Sequence, residues 1–307
     1  MVCVIVVTHN SATHLPGFLD SLSSAGSLDL RVIVVDNAST DASAAVARAA
    51  GATVIEAGEN RGYAAGINLG RARTSGCDAV FVANPDLRIE PGALEALAAV
   101  AIGEDGVAVP RILAPDGRTR RSLFREPTIG RQLGEAVLGD HWPGRPSWLS
   151  EIVREESAYR SRHRVDWATG AALMVSARCD RTVGPWDESY FLFSEEVDYA
   201  SRVRRHGFGL TYVPTAEVTH AEGGSGRPGP LMDLAATNKI RYVRARHGRA
   251  YSAVYALAVL LQLLLRASEP GHRRAVRPTA AGARALVAGA PGVIESTGAA
   301  GALGATG

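Results

Sequence analysis

Short apolar runs alternate with helix-like spacing through the first third of the chain. Runs rich in Val, Ile and Ala predict strands at Val2–Val7, Arg31–Asp36, Thr53–Glu56 and Ala79–Ala83. Between and after them, the pattern predicts helices over Leu15–Leu22, Thr40–Ala50 and Pro91–Val100, and a loop that enters a helix over Gly62–Arg73. Strands that are apolar on both faces and alternate with helices predict an α/β fold. We therefore expect a Rossmann-like, mostly parallel sheet with helices on both faces.

The remainder of the chain is less regular. Residues 113–164 are rich in Arg, Pro, Trp and Gly, so we expect long loops and short helices that cover a site. Regular structure is predicted to return with a strand over Val165–Ser176, a helix over Ser194–His206 and a strand over Gly209–Val213. From Ala280 the chain is rich in Ala and Gly, and we expect this tail to be poorly ordered.

An apolar segment, Ala253–Leu265, follows the basic stretch Lys239–Arg249. It is shorter than the roughly 20 residues that a membrane-spanning helix needs, so no spanning helix is expected. A basic stretch beside an apolar helix suits peripheral contact with an anionic membrane surface. Packing of this helix on its own domain, or on the second copy of a homodimer, explains the segment equally well, and both interpretations stay open.

Composition narrows the class of protein. The 307 residues are 46% hydrophobic and 21% charged, with a net charge of +2, which indicates a globular chain and gives no reason to expect a nucleic-acid partner. The three cysteines stand at no metal-binding spacing, and the first apolar run has no basic leader. These features predict a cytoplasmic protein in a reducing setting, without a signal peptide.

Polar residues follow each predicted strand of the sheet. They are Thr8-His9-Asn10, Asp36-Asn37, Glu59–Gly62 and Asn84-Pro85-Asp86. Because parallel sheets bind ligands at the carboxyl ends of their strands, these residues form the candidate ligand site. The first strand is not followed by the glycine pattern GxGxxG, which argues against a nicotinamide dinucleotide.

Two carboxylates at this edge suit a nucleotide and a cation. Asp86 could bind a hard divalent cation that also binds a diphosphate, but Asn-Pro-Asp is equally an ordinary turn sequence. Asp36 could accept a hydrogen bond from a ribose hydroxyl or a pyrimidine N–H, and it could equally cap the next helix.

The stretch Ser194–Asp198 (SEEVD) places acids in the first turn of a predicted helix, directly after the apolar residues YFLF. The helix dipole favours acids there, and Asp198 can pair with Arg202 one turn later, so a structural role explains them. Alternatively, crowding of like charges raises a carboxyl pKa toward the range of a general base. His220 opens a glycine-rich stretch, where it could ligate a metal or be a structural histidine.

Taken together, these segments resemble the inverting family-two glycosyltransferases with the GT-A fold. The likeness rests on VIVVTHNSATHLPGFLDSL, VVDNASTD, ENRGYAAGINLG, VANPDLRIEPGALEAL and WATGAALMVSARCDRTVGPWDESYFLFSEEVDYASRVRRHGF, which occur in the family's order. The stretches VANPDL, LGDHWPGRPSW and YVPTAEVTHAEGGSGR are most similar to rhamnosyltransferases of the actinobacterial cell-wall linker. That resemblance implies dTDP-rhamnose as the donor and a lipid-linked acceptor, polyprenyl-diphosphate N-acetylglucosamine.

The resemblance also implies a division of the chain into parts with different tasks. Residues 1–110 would bind the nucleotide-sugar donor, and residues 111–250 would bind the acceptor and carry out catalysis. The C-terminal helices would include the apolar segment 251–279, followed by the tail 280–307.

Individual residues receive roles from the resemblance, with Mn²⁺ or Mg²⁺ as the cofactor. Asp86 and His220 would hold the metal, and Glu196, or its neighbour Glu195, would be the catalytic base. The acceptor would contact Trp167, Gly170 and Asp198. The donor would be bound by Thr8, Asn10, Asp36, Asn60, Gly62, Gly66, Asn68, Asn84 and Asp86.

Two positions depart from the family's pattern. Glu196 stands where the family has Asp, and a displacement of about 1 Å at a reacting group can cost about a hundredfold in rate. Asn84 stands where the family has the first acid of Asp-x-Asp. Because of these departures, a nucleotide-sugar-binding protein without catalytic activity is an alternative hypothesis. A sugar-phosphate nucleotidyltransferase is a further rival, but THNSATHLPG lacks the glycine- and arginine-rich signature that would hold a triphosphate.

Overall fold

The computed structural model describes residues 1–24, 26–139, 142, 144–221 and 229–289. The chain forms two compact units, the first from 1–124, 155–191 and 195–223 and the second from 125–154, 192–194 and 224–307. The predicted boundary at residue 110 falls inside the strand Val107–Leu113 of the first unit. The donor and acceptor halves are therefore not separate compact units, and their division of labour stays a prediction.

The first unit is built on strands, which are, in chain order, β1 (Val2–Thr8), β2 (Leu30–Asp36), β3 (Thr53–Glu56), β4 (Ala79–Ala83), β5 (Leu87–Ile89), β6 (Val107–Leu113), β7 (Leu123–Phe124), β8 (His163–Val165), β9 (Trp167–Ala168), β10 (Ala172–Ser176) and β11 (Leu210–His220). Within the described residues, nine of them form one sheet in the order β3-β2-β1-β4-β10-β6-β11-β5, with β8 beside β11. A separate two-stranded ribbon pairs β7 with β9.

The sheet is parallel over the half predicted to be Rossmann-like. β1 lies between β2 and β4, parallel to both, and β2 continues in parallel to β3. Reversal comes at β10, which is antiparallel to β4 and β6, whereas β6 and β11 are parallel. The prediction of a mostly parallel sheet is confirmed.

The helices are α1 (Leu15–Ser24), α2 (Ser43–Ala49), α3 (Tyr63–Arg71), α4 (Ala93–Gly103), α5 (Ile129–Val137), α6 (Ala177–Val183), α7 (Glu195–Arg205), α8 (Gly229–Arg246), α9 (Arg249–Leu265) and α10 (Pro270–Ala288). Side chains alternate between the faces of a strand, so the fully buried β1 must be covered on both sides. Val4 and Val6 join the core that contains α1 and α4, while Ile5 and Val7 contact the glycines of α3. Helices therefore cover both faces, as predicted.

The second unit is helical and contains α5, α8, α9 and α10. Gln132 of α5 donates a hydrogen bond of 2.6 Å to Gln262 of α9. Gly282 of α10 lies close to Thr237 of α8, where a Cβ would stand 2.9 Å from the threonine methyl. Among the described residues, none of the helices combines the length and the hydropathy needed to cross a membrane.

The tail predicted to be poorly ordered is helical in its first part, because α10 extends to Ala288. Ala275, Thr279 and Ala283 recur every four residues and are buried, which gives α10 a packed face. An Ala-rich composition is compatible with a poorly ordered tail and also with a helix, because alanine is the strongest helix former. In the structure this segment is helical. Residues 290–307 lie outside the described part of the chain, as do residues 222–228 of the glycine-rich stretch.

Other elements differ from the sequence predictions. The single strand predicted over 165–176 is divided among the last residue of β8 and the whole of β9 and β10. It is broken because these pieces pair with different strands. β11 runs past Pro214 to His220 through an irregularity between Val213 and Glu217, since proline cannot donate to the ladder. The short β5 was not predicted at all.

The cysteines also differ from the expectation of a reducing setting. Cys3 of β1 and Cys77, which precedes β4, form a disulfide, while Cys179 is buried and free. Because β1 and β4 are neighbours in the sheet, the two cysteines meet although their separation in sequence is 74 residues. Spacing along the chain gave no sign of this pairing.

Candidate active site at the carboxyl edge of the sheet

The carboxyl ends of β1 and β2 place two buried polar side chains side by side. Thr8 is paired with Asp36 in the parallel register, and their exposed fractions are 0% and 5%. Asp36 Oδ2 accepts a hydrogen bond from the Ser39 amide at 3.1 Å, but this bond lies in the loop before α2 and does not cap that helix, which begins at Ser43. Among the described residues, Thr8 Oγ1 and Asp36 Oδ1 have no hydrogen-bond partner. Buried polar atoms are normally paired, so these two atoms are suited to contact a ligand.

The loops after β1 and β2 are tied to each other. Asn10 Oδ1 accepts a hydrogen bond of 2.8 Å from the Thr40 amide, and the Asn10 amide donates to Ser39 Oγ at 2.9 Å. Asn10 has φ 53° and Ala38 has φ 61°, a conformation that non-glycine residues rarely adopt. Strain of this kind concentrates at functional sites, where surrounding contacts hold it in place.

The loop between β3 and α3 is held by Asn37, which the sequence placed at the candidate ligand site without giving it an individual role. Its Nδ2 donates to Asn60 Oδ1 at 2.8 Å and to the Gly62 carbonyl at 3.2 Å, and its Oδ1 accepts from the Arg61 amide. Gly62 has φ 87°, and a Cβ there would lie 2.2 Å from the Phe191 carbonyl oxygen. Asn60 and Gly62 thus shape this edge of the site, and only glycine fits at position 62.

Gly66 and Asn68, also predicted to surround the donor, make contacts within the protein. A Cβ at Gly66 would lie 2.6 Å from Val7 Cγ1, so this glycine allows α3 to pack closely on β1. The Asn68 amide group exchanges hydrogen bonds of 2.9 Å with the backbone of Trp186 and donates to Glu188 Oε1. Donor contact by these two residues stays a prediction.

Asp86 and His220 are in direct contact. β5 pairs antiparallel with β11, and this register sets His220 opposite Leu87, the residue after Asp86. His220 Nε2 lies 3.0 Å from Asp86 Oδ1, and the Ala221 amide donates to the Asp86 carbonyl at 3.0 Å. The unpredicted strand β5 is therefore the reason why two residues far apart in sequence meet.

Charge around Asp86 favours its ionised form. Burial alone would raise the pKa of this carboxyl, but the hydrogen bond and charge of His220 outweigh burial and hold the pKa of Asp86 below its ordinary value. The charge of His14, at the start of α1, acts in the same direction. His14 is a site neighbour that the sequence analysis missed, although it stands in the THNSATH segment after β1.

Glu195 and Glu196 open α7 and differ in exposure. Glu195 is 4% exposed, and burial together with the charge of Glu196 raises its pKa well above the ordinary value. Glu196 is half-buried, and a Cβ on Gly170 would lie 3.4 Å from the Cβ of Glu196. Gly170 therefore lies beside Glu196, and its contact with the acceptor stays a prediction.

Tyr63, at the first position of α3, completes this cluster and was not predicted. Its hydroxyl donates a hydrogen bond of 3.1 Å to the Gly170 carbonyl. Burial raises its pKa, and the charges of Glu195, Glu196 and Asp86 raise it further, which shows that all three carboxylates act on this one hydroxyl. The quoted segment ENRGYAAGINLG contains Tyr63, but nothing in its spacing distinguished it from a core aromatic residue.

The remaining predicted acceptor residues lie beside this cluster in sequence but make structural contacts. Trp167 is buried and stacks on Phe124, with ring centroids 4.1 Å apart. Asp198 accepts a hydrogen bond of 2.8 Å from Arg202 Nε, the ion pair foreseen as its structural alternative. Acceptor contact by Trp167 and Asp198 stays a prediction.

The donor set of Asp86 and His220 fits a divalent cation in part. A carboxylate oxygen and an imidazole nitrogen are ligands that Mn²⁺ accepts, and the depressed pKa of Asp86 keeps its charge available. In the described part of the chain, no group of three or more His, Cys, Asp or Glu side chains forms a complete site. A cation at Asp86 and His220 would therefore need further ligands from a substrate or water.

Asn84, directly after β4, donates a hydrogen bond from its backbone N–H to the Ala171 carbonyl.

Comparison with known proteins relates this chain to glycosyltransferases. The sequence profile described as glycosyl transferase family 2 matches residues 3–150. An N-acetylglucosaminyl-diphospho-decaprenol L-rhamnosyltransferase of Mycobacterium tuberculosis is 35% identical over 254 residues, which cover 78% of this chain and 82% of that protein. A low-salt glycan biosynthesis hexosyltransferase, Agl10 of Haloferax volcanii, is 25% identical over 222 residues, or 71% of this chain and 66% of that protein.

Solved structures show the same fold at low identity. The mannosyltransferase PcManGT from Pyrobaculum calidifontis, solved with GDP-Man and Mn²⁺, aligns with a TM-score of 0.56 at 16% identity and covers 94% of this chain and 86% of its own. GalNAc-T7, solved with UDP, GalNAc and Mn²⁺, aligns with a TM-score of 0.57 at 15% identity over 79% of this chain. This chain spans about half of that enzyme, 48% of its length.

The sheet order and these structural neighbours define the GT-A fold. The chain belongs to glycosyl transferase family 2 and is a glycosyltransferase.

Proposed function

We propose that this enzyme transfers L-rhamnose from dTDP-rhamnose, with inversion, to a hydroxyl of polyprenyl-diphosphate-linked N-acetylglucosamine. The observation that carries the proposal is the 35% identity, over most of both chains, to a rhamnosyltransferase whose name specifies that lipid-linked acceptor. Identity of this degree over 82% of the relative supports a common reaction class and makes its substrates the first to test.

The carboxyl edge of β1 and β2 would receive the nucleotide. Asp36 Oδ1 and Thr8 Oγ1 are buried atoms without a hydrogen-bond partner in the described part of the chain, and they suit a pyrimidine N–H and a ribose hydroxyl. Asn10 and Asn60 would hold the two loops that flank the nucleotide. Asn84 follows the neighbouring strand β4 and would face the sugar diphosphate.

Asp86 and His220 would hold Mn²⁺ or Mg²⁺, with the donor diphosphate among the other ligands. When bound, the cation would stabilise the negative charge that develops on the departing nucleoside diphosphate. The contact between Asp86 and His220 supports this assignment. Two structural neighbours were solved with Mn²⁺, so a divalent cation is the first cofactor to test.

Glu196 would act as the general base in a single displacement. The acceptor oxygen forms a bond to the anomeric carbon while the bond from that carbon to the diphosphate oxygen breaks, and the electron pair leaves with the diphosphate. The acceptor proton passes to Glu196. Glu196 suits this task better than Glu195, because it is half-buried beside Gly170 and an acceptor can reach it, whereas Glu195 is almost fully buried.

Nucleotide release across a panel of nucleotide sugars tests the proposal. Purified enzyme with Mn²⁺ or Mg²⁺ is expected to release dTDP from dTDP-rhamnose only when polyprenyl-diphosphate N-acetylglucosamine is present. Acceptor-dependent release from a different donor would replace rhamnose with that sugar. Tight nucleotide binding without release from any donor would favour the non-catalytic alternative.

The same proposal places the enzyme peripherally on the cytoplasmic side of the membrane, through α9. Val254, Leu257, Leu264 and Leu265 lie on one side of this helix and are exposed, Leu257 by 66%; we call them the α9 apolar face. α10, beside α9, carries Arg273, Arg274, Arg277 and Arg284 and no acidic residue. Apolar and cationic groups together suit an anionic lipid surface.

Vesicle binding tests the α9 apolar face. The enzyme is expected to bind phosphatidylglycerol vesicles at low salt, and Leu257→Glu and Leu264→Glu are expected to abolish binding. Ile102→Glu is the control, because Ile102 is an exposed apolar residue of α4 in the first unit. Equal binding by all variants would contradict the proposal. A dimer in solution that both α9 variants dissociate would assign the face to a second copy of the chain.

A further inference from the structure

The turn of residues 192–194, directly before α7, is strained. Phe193 has φ 69° and Ser194 has φ 73°, and both are non-glycine residues in the left-handed region. Of the five non-glycine residues with positive φ in the described chain, these are the only two that are consecutive. Such a conformation persists only when its surroundings hold it. The turn therefore needs an identifiable restraint.

Asn238 of α8 supplies that restraint. Its Nδ2 donates hydrogen bonds to the carbonyls of Leu192 at 2.9 Å and Phe193 at 3.1 Å. In an extended chain, consecutive carbonyls point to opposite sides, so one amide group cannot reach both. The torsions of Phe193 turn the two carbonyls toward the same donor. Asn238 is 1% exposed, so water does not compete for these bonds.

The turn leads without a gap into the acidic pair. α7 begins at Glu195, the residue after Ser194, and Glu196 is the next. A change in the backbone path of residues 192–194 must therefore displace the first residues of α7. Displacement of a reacting group by about 1 Å can reduce a rate about a hundredfold.

We propose that Asn238 is a positioning residue for catalysis: by clamping the Leu192 and Phe193 carbonyls, it fixes the strained turn that sets Glu195 and Glu196 in place. This inference rests on the proposed function for its kinetic consequence. The clamp itself consists only of contacts within the second unit and of the covalent continuity into α7.

Asn238→Asp and Asn238→Ala test the clamp. Aspartate keeps the shape of asparagine but cannot donate when ionised. Both variants are expected to lower kcat at least tenfold, to leave nucleotide Kd within about twofold, and to speed hydrogen exchange of the amides of residues 192–197. Thr237→Ala is the control for loss of stability. Thr237 is a buried neighbour of Asn238 on α8, and no hydrogen bond among the described residues joins it to the turn.

A second substitution separates positioning from general damage to α8. Glycine adopts positive φ without strain, so Ser194→Gly in the Asn238→Ala background is expected to recover part of the lost kcat and of the protection from exchange. Unchanged kcat and exchange in Asn238→Ala, equal loss in Thr237→Ala, or no recovery by Ser194→Gly would each overturn the proposal. Absence of transfer by the wild type would refute the proposed function instead, and hydrogen exchange would still decide the clamp.

Discussion

At the residue scale, the hydroxyl of Tyr63 links α3 to Gly170, which lies beside the acidic first turn of α7. Tyr63 donates to the Gly170 carbonyl, and Gly170 lies against Glu196. Tyr63→Phe leaves this carbonyl without its donor, and we expect a loss of about 1 kcal/mol in the free energy of unfolding. Because Gly170 is then free to shift against Glu196, we also expect kcat to fall about tenfold or more.

Tyr212→Phe is the matched control for Tyr63→Phe. Tyr212 also donates its hydroxyl to a backbone carbonyl, that of Tyr159. Its removal is expected to cost similar stability with no change in kcat. Urea unfolding and steady-state kinetics measure both quantities, and equal kcat values for the two variants would remove Tyr63 from the site.

Glu195 makes a separate prediction about stability and pH. Its pKa is raised in the folded enzyme, so the folded state holds its proton more tightly than the unfolded chain does. The stability linked to this group is complete below the unfolded pKa of about 4.3 and is lost as pH rises toward the folded pKa. Glu195→Gln removes that loss, so its stability relative to wild type should be greater at pH 8 than at pH 4. An equal difference at both pH values, measured by urea unfolding, would contradict burial of a titrating Glu195.

The sequence could predict which residues stand at strand ends, although their roles stay predictions. Thr8, Asp36 and Asp86 end or follow apolar runs, and the sheet places these strands side by side. The sequence could not predict the contacts of Tyr63 and Asn238 or the loop-holding contacts of Asn37, because each is a hydrogen bond to backbone distant in sequence. Polar contacts of this kind leave no periodic pattern.

At the element scale, the loop from β3 to α3 depends on Gly62. A non-glycine residue at φ 87° costs about 1–2 kcal/mol, and a Cβ 2.2 Å from the Phe191 carbonyl oxygen adds an overlap that costs about 1–3 kcal/mol. We expect Gly62→Ala to lower the free energy of unfolding by about 3 kcal/mol and to weaken nucleotide binding.

Gly58→Ala separates the two causes. Gly58 has a similar φ of 79°, but no atom lies within 4 Å of a Cβ at that position. This variant is expected to lose only the torsional part, about 1–2 kcal/mol, and to bind nucleotide normally. If chemical unfolding gave the same loss for both variants, the close approach to Phe191 would not matter.

Helices and strands were predicted well where the apolar periodicity was strong. They were predicted poorly where pairing or packing with other elements determined the secondary structure. The strands β1, β2 and β4 and the helix α7 agree with their apolar patterns to within a few residues. Residues 165–176 split into three strands because each piece has a different neighbour, and α10 forms because its alanines pack. Neither fact can be read from a single segment.

At the scale of the whole molecule, the disulfide between Cys3 and Cys77 joins the first strand to the fourth. Closure of a loop of this length by a disulfide stabilises a fold by about 4 kcal/mol in chain-entropy estimates. In denaturant without reductant, only Cys179 is expected to react with a thiol reagent. Cys77→Ala is expected to lower stability far more than Cys179→Ala. Reaction of three thiols before reduction would contradict the disulfide.

The general architecture was predictable because several independent signals agreed. Alternating apolar runs and polar strand ends predicted a parallel sheet with a ligand edge, and the order of the family-like segments implied the GT-A fold; the fold and family are confirmed. The two compact units were not predicted, because the second unit gathers segments that are separated by parts of the first. Long-range assembly of this kind is set by packing rather than by local pattern.

The most direct test of the account is acceptor-dependent transfer by Glu196→Gln measured beside Glu195→Gln. If Glu196 is the base, its glutamine variant should bind the donor nucleotide normally and lose about 10²- to 10⁴-fold in kcat, because glutamine cannot take the acceptor proton. Glu195→Gln should keep most of the activity. Near-wild-type transfer by Glu196→Gln would contradict the assignment of the base and, with it, the proposed mechanism.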